Sequence, residues 1–212
     1  MSQIEQKFRD YLCLNPEIEH CYTLGLINRR SLARFLIQQG IGEKYQIEAI
    51  IAMIRRFDFK SIDIGKQDFS SIKINTKDNI IILDFVKEAK LVKELQNLVN
   101  LINYDKGDTL KIIIGNSSVK LFIDKENENI CKNIIQEYTL NKKQEGISEI
   151  SIIFNNEPKD TKGIVATLTK KFAVNDIVIS EMLTSTPEIL FYLEEKYIIK
   201  AYQILKQLKN SN

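Results

Sequence analysis

The loop from Asn155 to Gly163 holds the residues of this sequence best suited to bind a small charged molecule. It follows an alternating apolar segment, 150–154, and precedes a segment with helical apolar spacing that begins at Ile164. The loop therefore leads into a helix N-terminus, whose free N–H groups and dipole favour a carboxylate. Gly163 would let the backbone approach a ligand closely. The candidate contact residues are Asn155, Asn156, Asp160, Lys162, Gly163 and Ile164.

These residue types could hold the ammonium and carboxylate ends of an amino acid. The alternative is an ordinary surface loop, because loops of this Asn, Asp, Gly and Pro content are common in proteins without any ligand. Both interpretations stay open at the level of sequence.

A second group of candidates lies in the first quarter of the chain, where every arginine is found. Arginine makes planar, bidentate contacts with phosphate and carboxylate groups, so this asymmetry marks the first quarter as a separate unit. If that unit binds DNA, the candidate contacts are Arg29, Arg30, Arg34, Lys44, Tyr45, Gln46, Arg55 and Arg56.

The elements that carry these arginines are predicted to be helices. Amphipathic segments are interrupted at Asn15-Pro16, at Gly25 and at Gly40-Ile41-Gly42, which predicts four helices within residues 1–60. A helix, a short turn containing Gly and another helix are the elements of a helix-turn-helix. Residues 45–57 would then be the recognition helix. The alternative is a helical docking or dimerisation domain whose arginines are solvated or pair with Glu17, Glu19, Glu43 and Glu48.

The remainder of the chain is predicted to contain the order β-α-β-β-α twice. The first copy spans 71–140, and the second spans 147–209. A hairpin loop is expected at 75–79 and a linker at 141–146, from their Asn, Asp, Lys and Gly content. In the first copy the candidate binding loop is replaced by 87–90, without glycine, so that copy is interpreted as degenerate. The second copy lacks a fourth strand and must leave an edge open or borrow a strand.

The second copy resembles the ACT domain, a small-molecule-sensing module of aspartate kinases and other amino-acid-pathway proteins. The resemblance is carried by Lys162-Gly163-Ile164-Val165, by the run 172–179 and by the return strand 188–193. It implies effector binding at the loop 155–163 and pairing of domains edge to edge, either between the two copies within one chain or between chains, and a homodimer is expected to extend this arrangement. The segment 26–34, followed by 48–50 and Arg55-Arg56, is similar to the helical region of archaeal regulators that precedes ACT-like domains.

The predicted fold class is therefore α+β, with an N-terminal helical, helix-turn-helix-like domain followed by two ferredoxin-like (ACT-like) units. No catalytic triad, phosphate-binding loop or metal-ligand spacing is present in the sequence, so we expect neither an enzyme nor a cofactor. No segment is apolar enough for a membrane span, and the start has no signal-peptide core. We expect a cytoplasmic, ligand-responsive regulator acting on DNA or, alternatively, a regulatory subunit docked on a biosynthetic enzyme.

Overall fold

The computed structural model describes residues 3–59, 68–155 and 162–210. The chain forms two compact units, Met1–Gly65 and Lys66–Asn212. Each unit has hydrophobic core residues of its own, and all the arginines belong to the first unit.

The first unit is helical, as predicted. Its helices are α1 (Gln3–Leu14), α2 (Pro16–Thr23), α3 (Arg29–Gln38) and α4 (Ile47–Arg56). Asn28 caps α3, because its side chain accepts a hydrogen bond from the Ser31 N–H at 2.9 Å. A short 3-10 turn, Lys44–Gln46, precedes α4. The core of this unit is built around Phe8, Leu32, Leu36 and Ile50, all of which are fully or almost fully buried.

The second unit is a six-stranded antiparallel sheet in the order β2-β3-β1-β4-β6-β5. The strands are β1 (Lys73–Val86), β2 (Leu110–Ile114), β3 (Ser118–Asp124), β4 (Leu140–Ile153), β5 (Ile179–Ser185) and β6 (Glu188–Glu194). The helices are α5 (Ala89–Val99), α6 (Lys132–Glu137), α7 (Ile164–Ala173) and α8 (Glu195–Asn210). Both β-α-β-β-α segments are thus present, but they share one sheet.

The prediction of a hairpin loop at 75–79 is wrong, because these residues belong to the continuous strand β1. The strand accommodates its polar residues through an irregularity at 78–79, where the pairing register shifts and Asn79 has a positive φ. The polar side chains also find partners: Lys77 Nζ lies 2.9 Å from Asp124 Oδ2, and Asp78 Oδ1 accepts from Ser148 Oγ at 2.9 Å. These contacts come from distant strands, so local composition does not reveal them.

The prediction of a linker at 141–146 is also wrong, because these residues form the first half of β4. β1 and β4 are both 14 residues long, and the seventh residue of each, Asn79 and Gly146, has a positive φ. Residues 73–77 of β1 pair with 149–153 of β4, while 80–85 of β1 pair with 140–147 of β4. The first half of the sheet consists of β2, β3 and residues 80–86 of β1, and it obtains its fourth strand from residues 140–147 of β4. The second half consists of β5, β6 and residues 149–153 of β4, and it obtains its fourth strand from residues 73–77 of β1. The division into units 71–140 and 147–209 stays a prediction.

The four helices of this unit cover one face of the sheet. Under α5 and α6 lie Ile81, Leu83 and Phe85, and under α7 and α8 lie Ile150, Ile152 and Phe191. Within the described residues, no helix has both the length and the apolarity needed to cross a bilayer.

The sheet curls toward its opposite face, where a second small core fills the concave side. This core is formed by Ile80, Ile82, Phe122, Ile147, Leu190 and Tyr192. In a flat sheet three strand spacings, about 14 Å, would separate β3 from β6. The rings of Phe122 on β3 and Tyr192 on β6 are instead 4.4 Å apart. Ion pairs Lys120–Glu181 and Lys111–Glu149 also join strands that are not neighbours. We call this face the concave face.

Cys131 provides a test of the core below α5 and α6. It is completely buried, whereas Cys13 is exposed and Cys21 is half-buried. Burial, together with the nearby Glu128 carboxylate, raises the pKa of the Cys131 thiol to about 11. Because the thiolate is the reactive form, a Cys13→Ser/Cys21→Ser variant should show no titratable thiol at neutral pH until denaturant is added, and then one. Rapid labelling of the native variant by a thiol reagent would contradict this packing.

Candidate functional site

An open cavity of about 560 Å3 lies at one end of the strands, between the start of α7 and the β5–β6 turn. Its volume is within the range usual for small-molecule sites, about 300–1,000 Å3. The lining residues described are Gly163, Ile164, Val165, Ala166, Thr184, Thr186, Pro187, Glu188 and Ile189.

Strand direction brings the two walls of this cavity together. Because β6 is antiparallel to both β4 and β5, the last residues of β4 and the β5–β6 turn lie at the same end of the sheet. The Phe154 N–H, one residue past β4, donates to the Pro187 carbonyl at 3.0 Å. Phe154 is 5% exposed and anchors the end of β4 in the core below α7 and α8. The chain that leads to α7 is thereby tied to the turn.

The helix wall of the cavity begins at Gly163, whose φ of +82° is easily adopted only by glycine. The Thr167 N–H donates to the Gly163 carbonyl at 2.8 Å, which starts the helical hydrogen bonding. The N–H groups of Ile164, Val165 and Ala166 precede that bond and have no intrahelical acceptor. Together with the helix dipole they give this wall a positive electrostatic character suited to a carboxylate.

The turn wall of the cavity carries the hydroxyl groups of Thr184 and Thr186. Side chains of Ile164, Pro187 and Ile189 supply apolar surface between the two walls. Glu188 also borders the cavity, but strand alternation directs its side chain to the concave face, with Leu190 and Tyr192. The arrangement can hold a small molecule whose carboxylate lies at α7 and whose remainder contacts the threonines and the apolar surface.

Two of the six predicted contact residues, Gly163 and Ile164, line the cavity. Asn155 and Lys162 are exposed and do not belong to the lining formed by the described residues. Asn156 and Asp160 lie outside the described residues. Their role as contacts therefore stays a prediction.

Sequence reasoning missed the turn wall, which contributes Thr184, Thr186, Pro187, Glu188 and Ile189. A topological signal was present, because a β-α-β-β order places the end of the first strand beside the turn between the second and third.

In the helical unit the structure assigns several candidate DNA contacts to internal roles. Gln46 Oε1 accepts from the Glu43 N–H at 2.8 Å as part of a capping box at the start of α4. Arg30 pairs with Glu48 at 3.1 Å, one of the acidic partners expected under the docking alternative. Arg29 Nε donates to Tyr22 OH at 3.0 Å. The other candidates, Arg34, Lys44, Tyr45, Arg55 and Arg56, are exposed.

Neither a family model nor a curated protein matches this sequence. Solved structures do match. Aspartate kinase from Clostridium acetobutylicum is 15% identical, with a TM-score of 0.57 over 72% of this chain and 38% of that chain. This chain therefore spans well under half of the length of that kinase.

Two further matches cover almost the whole of the other protein. The regulatory subunit of aspartate kinase from Thermus thermophilus, in its ligand-free form, is 13% identical, with a TM-score of 0.51 over 64% of this chain and 97% of that chain. The regulatory subunit from Thermus flavus is 13% identical, with a TM-score of 0.51 over 67% of this chain and 99% of that chain. At these identities the similarity shows the fold, which is that of an aspartate kinase regulatory subunit and of ACT type.

Proposed function

We propose that this chain is a non-catalytic regulatory protein that senses an amino acid in the cavity between α7 and the β5–β6 turn. The observation that carries the proposal is the start of α7 at Gly163, which forms one wall of that cavity. The N–H groups of the first helical turn suit the carboxylate of an amino acid. Thr184 and Thr186, with the apolar surface beside them, can contact the rest of the ligand.

The comparisons support a regulatory role, because two of the matched structures are regulatory subunits. Part of the ACT-like sequence also lies at this cavity, because Gly163 and Ile164, which carry part of the resemblance, line it. Catalysis by this chain is not part of the proposal.

A thermal-shift screen of the full chain against the standard amino acids tests the proposal. A ligand at a hundred times its dissociation constant should add about 2.7 kcal/mol to the free energy of unfolding. We expect one or a few amino acids to raise the melting temperature of the sheet unit and to leave that of the helical unit unchanged. A flat response to all of them, repeated by calorimetric titration, would refute the sensing role.

The helical unit is proposed to be the part that acts on a target, and its surface favours a protein over DNA. Over residues 3–59 there are eight Lys and Arg against seven Asp and Glu, a net charge of only +1. Large apolar side chains are exposed there, including Leu14 at 81%, Leu26 at 72% and Tyr45 at 84%. DNA-binding domains are usually strongly basic, so the charge balance favours a protein target, and exposed apolar side chains can contribute to a docking surface where they are contiguous.

Duplex DNA therefore should not bind the full chain more tightly than about 10⁻⁶ M at physiological salt, the upper end of non-specific affinity. Fluorescence anisotropy with a random-sequence duplex measures this. Tighter, salt-dependent binding that is lost in an Arg55→Ala/Arg56→Ala variant, but kept in the matched Lys7→Ala variant on α1, would show that DNA is the target.

A homodimer through the sheet unit is the remaining part of the proposal. The strand order leaves β2 and β5 as the two edge strands, and their unpaired backbone groups can pair with a second copy. Sedimentation of the full chain should give a dimer, and a Met182→Pro substitution on β5 tests whether that edge forms it. A monomer at all concentrations would contradict this part alone.

A further inference from the structure

The first part of β1 leaves one side of the second half of the sheet open. Residues 73–77 pair with 149–153 of β4 on one side, whereas β3 pairs only with residues 80–86 of β1. Among the described residues no strand pairs with the other side of 73–77. Since alternate residues of a strand direct their N–H and C=O groups to the same side, this edge presents backbone donors and acceptors to a further strand.

Helix α8 runs alongside this open edge. Near the end of the helix, the Lys209 ammonium group donates to the Ile72 carbonyl at 2.7 Å, just before β1 begins. Near its start, the helix and the strand line a cavity of about 300 Å3, formed by Thr76, Asp78, Ile198, Ile199 and Tyr202. Extended peptides bind to open sheet edges by strand addition, and pockets beside the edge select their side chains.

The helix side of this groove is apolar and exposed. Ile199 is 71% exposed and Tyr202 is 36% exposed. The helix packs on the sheet through its opposite face, where Ala201 and Leu205 are completely buried. Ile199 therefore adds little to the core of the unit, and its side chain can contact an aliphatic residue of a peptide lying along β1.

The strand side of the groove adds a negative charge. Asp78 is exposed, and a hydrogen bond of 2.9 Å from Ser148 Oγ to its Oδ1 orients the carboxylate. Lys77 turns away to donate to groups of the first half of the sheet, and the Lys206 ammonium group lies 5.7 Å from the centre of the Tyr202 ring. A basic residue of a bound peptide can therefore pair with Asp78.

The corresponding edge of the first half is less suited to strand addition. It is formed by residues 140–145 of β4, beyond which pairing with β6 begins at Ile147. On this edge Lys143 pairs with Glu128 and Glu145, each at 2.5 Å, and charged side chains protect a strand edge from further pairing. The helix at the matching position, α6, has six residues, whereas α8 has 16. The groove is thus a feature of the second half.

We propose that the groove between α8 and residues 73–78 of β1 binds an extended peptide segment of a partner protein. The peptide adds a strand to β1, places aliphatic side chains against Ile199 and Tyr202, and pairs a lysine or arginine with Asp78. This site shares no residue with the cavity beside α7, so the inference does not depend on amino-acid sensing. It gives the sheet unit a protein partner of its own.

The test begins with a phage-displayed library of random dodecapeptides, selected on the immobilised full chain. We expect the selected peptides to share aliphatic residues at alternate positions and at least one lysine or arginine. Fluorescence anisotropy of a labelled consensus peptide then compares variants. Ile199→Asp should weaken binding at least about tenfold, because it places a charge against an aliphatic side chain. Asp78→Asn should weaken it about twofold to fivefold, as expected for one exposed ion pair.

Val174→Asp is the matched control, since Val174 is 67% exposed just after α7 and does not line the groove. It should leave binding unchanged. N-methylation of every second amide of the peptide, in the two possible registers, distinguishes strand addition from contact through side chains alone. One register removes the N–H groups that face β1 and should abolish binding, and the other should preserve it.

Four results would overturn the inference. They are the selection of no peptide, equal binding of the consensus peptide to Ile199→Asp and to the wild type, equal effects of the two methylation registers, and conversion of a dimer of the full chain into a monomer by Ile199→Asp. The last result, measured by sedimentation, would show that a second copy of this chain occupies the groove.

Discussion

Replacing Phe122 by alanine should lower the free energy of unfolding of the sheet unit by about 3–5 kcal/mol, the usual cost of removing a buried aromatic side chain. Phe122 is completely buried on the concave face, which no helix covers among the described residues. Its ring packs 4.4 Å from that of Tyr192, which belongs to the other half of the sheet. The substitution would leave a cavity at the point where the two halves are held together.

Urea denaturation measures this effect, and Tyr104→Ala is a matched control in the same unit. Tyr104 is an aromatic residue that is 51% exposed, so its loss should change stability by only about 0.5 kcal/mol. If Phe122→Ala does not fold, Phe122→Leu should still unfold at clearly lower urea than the wild type. Equal costs for Phe122→Ala and Tyr104→Ala would mean that the sheet is not curled around this core.

Replacing Gly163 by valine should abolish the stabilisation of the chain by its ligand, a loss of about 2.7 kcal/mol at a hundredfold excess over the dissociation constant. Gly163 has a φ of +82° and lies at the start of α7, where its neighbours supply the free N–H groups. A β-branched residue is unfavourable in this conformation by about 1–2 kcal/mol. The first turn of α7 should therefore rearrange, and its N–H groups should no longer face the cavity.

Gly107→Val separates this effect from simple backbone strain. Gly107 belongs to the same unit, has a φ of +83°, and has open space around the position of an added Cβ. Both variants should lose similar stability without ligand, but only Gly163→Val should lose the ligand-induced shift in thermal denaturation. A full ligand-induced shift in Gly163→Val would exclude the start of α7 from the binding site.

Much of the fold follows from local signals in the sequence. Helix α2 begins at Pro16, within the interruption predicted at Asn15-Pro16, and β6 matches the predicted return strand 188–193. In these segments backbone preference, apolar spacing and turn residues agree with the tertiary structure, which is why the pattern can be read from the chain alone.

The long strands β1 and β4 could not be predicted in this way, because their polar residues are stabilised by distant partners. Lys77 reaches Gly107, Thr109 and Asp124, and Lys143 pairs with Glu128 at 2.5 Å. Local composition at these positions is typical of a turn or linker. The exchange of fourth strands between the halves depends on these contacts.

Only the helix side of the candidate site could be predicted, because the residues of the turn side are brought to it by distant strand pairing. Gly163 is indicated by its type and by its place before a helix. Thr184 and Thr186 have no local signal, since threonine is common in and beside strands. Only the antiparallel register of β4, β5 and β6 places them beside the start of α7.

Nuclear magnetic resonance of the labelled full chain can show whether the cavity between α7 and the β5–β6 turn binds an amino acid. Titration with the amino acids that stabilise the chain should shift the backbone signals of residues 163–166 and 184–189 saturably, with one site per chain. Signals from α5 should not move, because that helix packs on a different part of the sheet core from α7. Absence of saturable shifts with every amino acid, or shifts confined to residues outside the cavity, would contradict the account.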